Sequence, residues 1–381
     1  GRLADGDLAF GFAARIADGR LDLDRFRASA GRGRLDGSGR VEFGGRRAFG
    51  FDGTASSFDP SRFGAYPAGT LGGRIELRGV LAPTWQVEGS VALAEGSRLL
   101  GVPVRGHARA NATPTRIAGI DADVSAGRNR VTLKGDAGAP ADRLAWRIDA
   151  DALAELAPLL PAGTPPLAGA VAARGTLAGL AVRAGSPDLP GGALEATATG
   201  LKVGTLSVAR LEVKASAAAP GEGIAASART LGLAVDATGL VQGSGRAHDL
   251  RASAIGTLAA HQLALAVTGS GLDAHLELAG GLDARDGPGA TPGPIWRGAL
   301  RSFENRGPWP LALAAPAPLE IARGQVVLGA ARVVGRDGRL DVVDFRWDQG
   351  RIASHGSFSA VPVAGLSAAL GLQFPLHSTL R

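Results

Sequence analysis

Six histidines are the first residues to weigh for chemistry: His107, His248, His261, His275, His355 and His377. No two lie within four residues of each other, which removes the paired ligands of a helical metal site. His248, His261 and His275 are 13 and 14 residues apart, a spacing that could set them on neighbouring strands. They read as scattered surface histidines, and no metal or other cofactor is expected. With no Cys in the chain, thiolate ligands, disulfides and thiol nucleophiles are excluded. The carboxylate pairs Asp22/Asp24 and Asp121/Asp123 resemble an acid–base couple only in composition. Each sits on the polar positions of an alternating segment, where carboxylates solubilise a surface. The chain holds no Gly-x-Ser-x-Gly elbow, no phosphate-binding loop and no His-Glu-x-x-His. Gly31-Arg-Gly33 and Gly37-Ser-Gly39 lack a following helix and read as turns. Polar residues are spread evenly rather than gathered in one or two loops, so the chain is not read as an enzyme.

The elements that carry these residues are strands. Alternation of period two runs from end to end. Leu8, Phe10, Phe12 and Ile16 share a parity, and Val41 alternates with Arg40 and Glu42. Ile75 and Leu77 are set among Arg74, Glu76 and Arg78, and Leu276 and Leu278 among His275 and Glu277. One face is apolar and the other charged, the pattern of antiparallel strands exposed on one side. Asp5-Gly6, Asp18-Gly19, Asp36-Gly37, Asp337-Gly338 and Gln349-Gly350 supply residues suited to turns that need positive φ. Strand starts recur often enough for about 25–30 strands in a meander. Asp151–Leu160 is expected to form one or two helical turns, with Asp151 as N-cap and Pro161 ending them, and Pro362–Leu372 another. Gly-Thr-Leu recurs at Gly69, Gly175, Gly204 and Gly256. Leu340 and Val342 fall on one parity and Val343, Phe345 and Trp347 on the other, so either a β-bulge or burial on both sides is expected there.

Composition agrees. The chain has 381 residues, 45% of them hydrophobic, enough to bury apolar surface. Of 41 basic residues only Lys134, Lys202 and Lys214 are lysine. A net charge of +6 spread over this length, with Arg interleaved among acids, describes a solvated face and not a nucleic-acid footprint. Aromatics at 5% are too sparse for a stacking platform. Proline breaks both long uncharged stretches, so no membrane-spanning helix is expected. The start, Gly1-Arg2-Leu3, reads as the interior of a longer protein. The expected organisation is sheet segments at 1–157, 158–280 and 295–381, with 281–294 a linker or long loop.

The expected fold is therefore all-β: an elongated, curled antiparallel meander, or groove, with an apolar lumen and one or two short helices. At about 4.8 Å per strand its trough would run roughly 120–140 Å. The residues expected to line it are Leu8, Phe10, Phe12, Val41, Phe43, Ile75, Leu77, Val87, Val91, Leu93, Val131, Leu133, Trp146, Ile148, Leu201, Val203, Leu211, Val213, Leu263, Leu265, Leu276, Leu278, Val326 and Leu328. A packed β-solenoid without a lumen fits the periodicity equally well.

Several stretches resemble the TamB family, relatives of AsmA-like proteins. Leu153-Ala-Glu-Leu-Ala-Pro-Leu-Leu-Pro161, followed by Leu167-Ala-Gly-Ala-Val171 and Gly175-Thr-Leu177, is similar to that family's short helix and following strand pair. Leu201–Val213 resembles its amphipathic hairpins. The stretch Ile295-Trp-Arg-Gly298, Trp309-Pro-Leu311, Ala315–Leu319, Phe345-Arg-Trp347, Gly356-Ser-Phe358 and Val361-Pro-Val363 resembles the segment before the family's C-terminal domain. The resemblance implies a periplasmic groove in an inner-membrane-anchored protein that carries phospholipid between membranes. It also implies an outer-membrane TamA-like partner. Two rivals remain at this point: an assembly factor offering a sheet edge to autotransporter strands, and a secreted β-solenoid adhesin.

Overall fold

A computed structural model of the chain describes residues 8–182, 190–219, 225–283, 295–308, 310–336 and 338–359. These hold 25 strands and three short 3-10 segments, an all-β antiparallel sheet protein as the alternation requires. The chain divides into two compact units, Gly1–Gly192 and Ala193–Arg381.

In the first unit each strand pairs antiparallel with the next, from Leu8–Ala17 through Leu167–Ala178. The two-residue strand Arg98–Leu99 lies off this ladder, bridging Gly69–Thr70 to Val102–Pro103. Partners across an antiparallel ladder point to the same side, so the register can be followed strand to strand. Ile16 opposes Leu21, Leu21 opposes Val41, Val41 opposes Phe49, and Phe51 opposes Leu77. Ile75 opposes Val91, Val91 opposes Ala108, Val124 opposes Val131, and Val131 opposes Ile148. The apolar positions of ten successive pairings thus merge into one surface.

The other surface is charged. Arg27 donates to Asp36 at 2.6 Å and Arg109 to Asp121 at 2.9 Å, each directly across a ladder. Opposed charges of this kind contribute up to about 1 kcal/mol each and fix register more than they stabilise.

The second unit repeats the plan from Leu206–Ala217 to Ile295–Asn305 and then forks. Ile295–Asn305 pairs with both Leu311–Leu313 and Ala317–Ala322. One branch continues through Ala331–Gly335 and the other through Gln325–Leu328, and both rejoin on Arg339–Asp348. Pro310, Pro316 and Pro318 have no N–H to donate, so an uninterrupted strand cannot form there. A simple meander does not anticipate this fork. The final strand, Arg351–Ser359, pairs with Arg339–Asp348 with a register shift between Val342 and Asp344. The β-bulge alternative therefore holds: Val343 is the extra residue, 67% exposed, and apolar side chains switch parity across it.

Turn chemistry explains most hairpins. Asp18 and Gly19 have φ of 51° and 70° between the paired residues Ala17 and Arg20. Gln349 and Gly350, at 47° and 91°, do the same between Asp348 and Arg351. Asp36-Gly37 and Gly37-Ser-Gly39 are a correction. They lie inside strand Gly33–Glu42. Gly37 faces Gly53 across the ladder, and a Cβ on either would come within 3.0 Å of the Phe51 ring. Glycine here makes room for an aromatic side chain lying along the sheet, not for a turn.

The helix expected at Asp151–Leu160 is a 3-10 segment, Leu153–Leu159, whose N-cap is Ala152 with no side-chain cap. Asp151 is not the cap, because the segment starts one residue later than expected; Asn129 instead ties Ala152 to the sheet, its amide donating to the carbonyls of Ala126 and Ala152 and accepting from the Ala152 N–H. Asp5-Gly6, Asp337, Pro362–Leu372 and residues 284–294 lie outside the described residues. The strands flanking that last stretch pair with each other, Asp283 opposite Ile295.

Candidate functional site: an uncovered apolar face

Of the expected lining positions in the first unit, Phe10, Phe12, Val41, Ile75, Leu77, Val87, Val91, Leu93, Val131, Leu133, Trp146 and Ile148 share the apolar face. Leu8 stands opposite Ala30 on the same register. Phe43 falls one residue past the end of strand Gly33–Glu42. In the second unit Leu211, Val213, Leu263, Leu265, Leu276, Leu278, Val326 and Leu328 hold apolar-face positions. Leu201 and Val203 lie in strand Gly191–Val203, Leu201 half-buried and Val203 exposed. Sequence reading passed over Phe49, Phe51, Val124, Phe303 and Ile321, which share these faces. The Phe49-Gly-Phe51 alternation was a usable signal for the first two.

Among the described residues no second layer covers either face. The substantial contacts between elements are those of ladder neighbours, apart from Leu153–Leu159, which packs on strands Val102–Ala112 and Leu167–Ala178. No large side chain is fully buried among the described residues. Val91 and Val131 are 38% and 40% exposed in the middle of the sheet, and Phe12 is 74% exposed. A sheet with one face bare of cover leaves far more contiguous apolar surface in water than a soluble monomer ordinarily does.

Three of the large side chains on these faces, Phe49, Phe51 and Trp296, lie over glycine. A Cβ on Gly79 would sit 2.8 Å from the Phe49 ring. In the second unit Trp296 covers Gly280 and Gly298, where a Cβ would come within 2.7 and 2.6 Å of the indole. The Trp296 Nε1 donates to His261 Nε2 at 2.8 Å, and His261 Nδ1 donates to the Thr257 carbonyl at 2.8 Å. Both His nitrogens are used. His275 instead faces the charged side beside Asp273 at 3.1 Å, and His248 is the extra residue of a bulge between Ala247 and Asp249. The three histidines do not converge, and among the described residues no group of three His, Cys, Asp or Glu could hold a metal ion.

The carboxylate pairs are occupied by arginine. Asp121 accepts from Arg109, and Asp123 from Arg130. The strongest such contact is at Asp142, 7% exposed, which accepts from Arg116 Nε and Nη2 at 2.9 and 2.7 Å and from the Ala139 N–H at 2.9 Å. The Arg116 guanidinium, above all, holds the Asp142 carboxyl below its ordinary 3.8, against a smaller opposing effect of burial. Arg130 and Arg147 do the same for Asp123 and Asp149. A folded-state pKa below the unfolded value stabilises the fold above that unfolded value, and the contribution fades as pH falls through about 4 and below. Asp142→Asn is expected to cost about 1 kcal/mol at pH 7, discounted for the half-exposed Arg116. It also flattens the acid limb of stability, read from urea midpoints at pH 7, 5 and 3. An acid limb identical to the parent's would show that this pair does not act on folding.

These features define a class: an amphipathic antiparallel sheet with one uncovered apolar face and no assembled catalytic group among the described residues. The chain belongs to the TamB family, since the description "TamB, N-terminal domain" matches residues 7–330. Neither a curated protein nor a solved structure was found to match. The family has a TamB-type role in transport and assembly, is not known for enzymatic activity and works in general with TamA-like partners. Membership points to a periplasmic region of an envelope protein. No helix among the described residues is long and apolar enough to cross a membrane.

Proposed function

We propose that this chain is a non-enzymatic segment of a lipid conduit, along which phospholipid acyl chains move between the inner and outer membranes. The observation that carries the reading is the uncovered apolar face, continuous through ten pairings of the first unit and repeated in the second. Its wall is mostly Leu, Val, Ala and Gly, with the Phe49, Phe51 and Trp296 rings lying over glycine, so it offers apolar contact along its length. A sixteen-carbon chain costs about 12 kcal/mol to expose to water, at about 0.8 per methylene. An even apolar wall offsets that cost at every step, and a cargo held equally everywhere slides without a trap. The parent protein would be anchored in the inner membrane and meet a TamA-like outer-membrane partner. The ladders from Leu8–Ala17 to Leu167–Ala178 and from Leu206–Ala217 to Arg351–Ser359 are antiparallel, which speaks against the parallel rungs of a β-solenoid adhesin.

Native mass spectrometry of the purified chain tests the reading. The expected spectrum carries phospholipid adducts, retained from expression or taken up from vesicles. A chain that leaves both sources bare would end the proposal.

A further inference from the structure

At one hairpin end the apolar face runs on past its strands. Val41 opposes Phe49, Phe49 opposes Gly79, and Gly79 opposes Val87, so these four share the face. Two residues away in sequence, one residue beyond each strand end, come Phe43, Leu81 and Trp85. They are 54%, 50% and 40% exposed. The turns that carry them are adjacent: the Leu81 N–H donates to the carbonyls of Arg46 and Arg47 at 3.2 Å each, and the Ala82 N–H to Arg46 at 3.1 Å.

The first of these turns supplies cations. The Arg46 and Arg47 side chains are exposed, and neither forms an ion pair among the described residues. The nearest acid along the chain, Glu42, stands opposite Arg20 on the charged face. Arg47 has φ of 50°, in the left-handed region that favours glycine. A long cation therefore occupies a position whose backbone would be easier with Gly.

We infer that this lip, Phe43, Leu81 and Trp85 with Arg46 and Arg47, holds the phosphate headgroup of a phospholipid whose acyl chains lie on the face below. The inference rests on the lipid reading above and adds to it a headgroup station and a chemical preference. From the face outward along the chain come Val41, Phe43 and then Arg46 and Arg47, aliphatic, aromatic and cationic in the order of acyl chain, glycerol region and phosphate. Aromatic side chains suit such a boundary because one part is apolar and the rim is wet. Guanidinium matches phosphate with paired N–H donors.

The test uses the full chain and two lipids with identical acyl chains, phosphatidylglycerol and the phosphate-free diacylglycerol, offered in equal amounts and counted by native mass spectrometry. The double variant Arg46→Ala/Arg47→Ala is expected to lower phosphatidylglycerol loading about tenfold and leave diacylglycerol loading unchanged. Phe43→Ala/Trp85→Ala should lower both. Circular dichroism checks that each variant keeps its sheet, which exposed side chains permit. Phosphatidylglycerol loading that survives the arginine variant, or equal loss of both lipids from it, would overturn the headgroup station while leaving the conduit intact. A parent chain that takes up neither lipid would instead sink the conduit reading, and this inference with it.

Discussion

Val91→Asp combined with Val131→Asp is expected to reduce bound phospholipid roughly a hundredfold while the chain stays folded. Both valines point from central strands onto the apolar face, opposite Ile75 and Ala108 for Val91 and opposite Val124 and Ile148 for Val131. They are already 38% and 40% exposed, so a carboxylate there keeps its water and the fold pays only lost strand propensity, on the order of 1 kcal/mol per site. The lipid has no such escape. An acyl chain crossing both hydrated carboxylates gives up contact over three or four methylenes in all, about 2–3 kcal/mol, and each 1.4 kcal/mol is a factor of ten. Val→Thr at the same sites keeps shape without charge and should fall between parent and Asp variant. Lipid counts by native mass spectrometry, beside circular dichroism and a urea midpoint, separate binding from folding. Undiminished lipid on a folded Asp variant would place the cargo elsewhere.

Trp296→Ala is expected to be the most damaging single change to the second unit, costing about 3–5 kcal/mol. The indole is 7% exposed and lies against Gly280 and Gly298, positions that have no side chain to close the gap. Its loss also leaves His261 Nε2 without the N–H it accepts. Trp296→Phe keeps a ring over the glycines and removes only the donor, so it should cost about 1 kcal/mol. Urea unfolding by far-UV circular dichroism measures both, and hydrogen exchange should show the loss concentrated in strands His261–Gly269, Leu272–Asp283 and Ile295–Asn305. Equal effects of Ala and Phe would mean that the hydrogen bond, not the ring, holds this region.

Much of this architecture was legible from residue order, because strand alternation is a local property. The alternation of Ile75 and Leu77 with Arg74, Glu76 and Arg78 needs no knowledge of neighbours to say that one side is apolar. Asp18-Gly19 reads as a two-residue turn for the same reason: its backbone preference is carried by those two residues. The parity break at Val343 was visible too, although only pairing with Arg351–Ser359 distinguished a bulge from a strand buried on both sides.

Other features were out of reach because they depend on what stands across the ladder. Asp36-Gly37 has the composition of a turn, yet Phe51 on the next strand requires Gly37 to sit mid-strand. The start of Leu153–Leu159 is fixed by Asn129, whose amide bonds Ala152 from 23 residues away. The fork after Ile295–Asn305 depends on which short strand reaches which partner. The residues of the lip, Phe43, Leu81, Trp85, Arg46 and Arg47, are scattered over two turns in sequence and brought side by side by register.

Order along the chain by itself determined that this protein is built of amphipathic antiparallel strands, since a two-residue period and its turn residues act over a few positions. Tertiary structure decided that the apolar sides merge into one face within each unit and that, among the described residues, this face has no cover. It also decided that the rings of Phe49, Phe51 and Trp296 lie along the sheet, over glycine. The physical reason is that each of those outcomes depends on the register between strands and on the volume facing each side chain, and neither is encoded by any one segment alone.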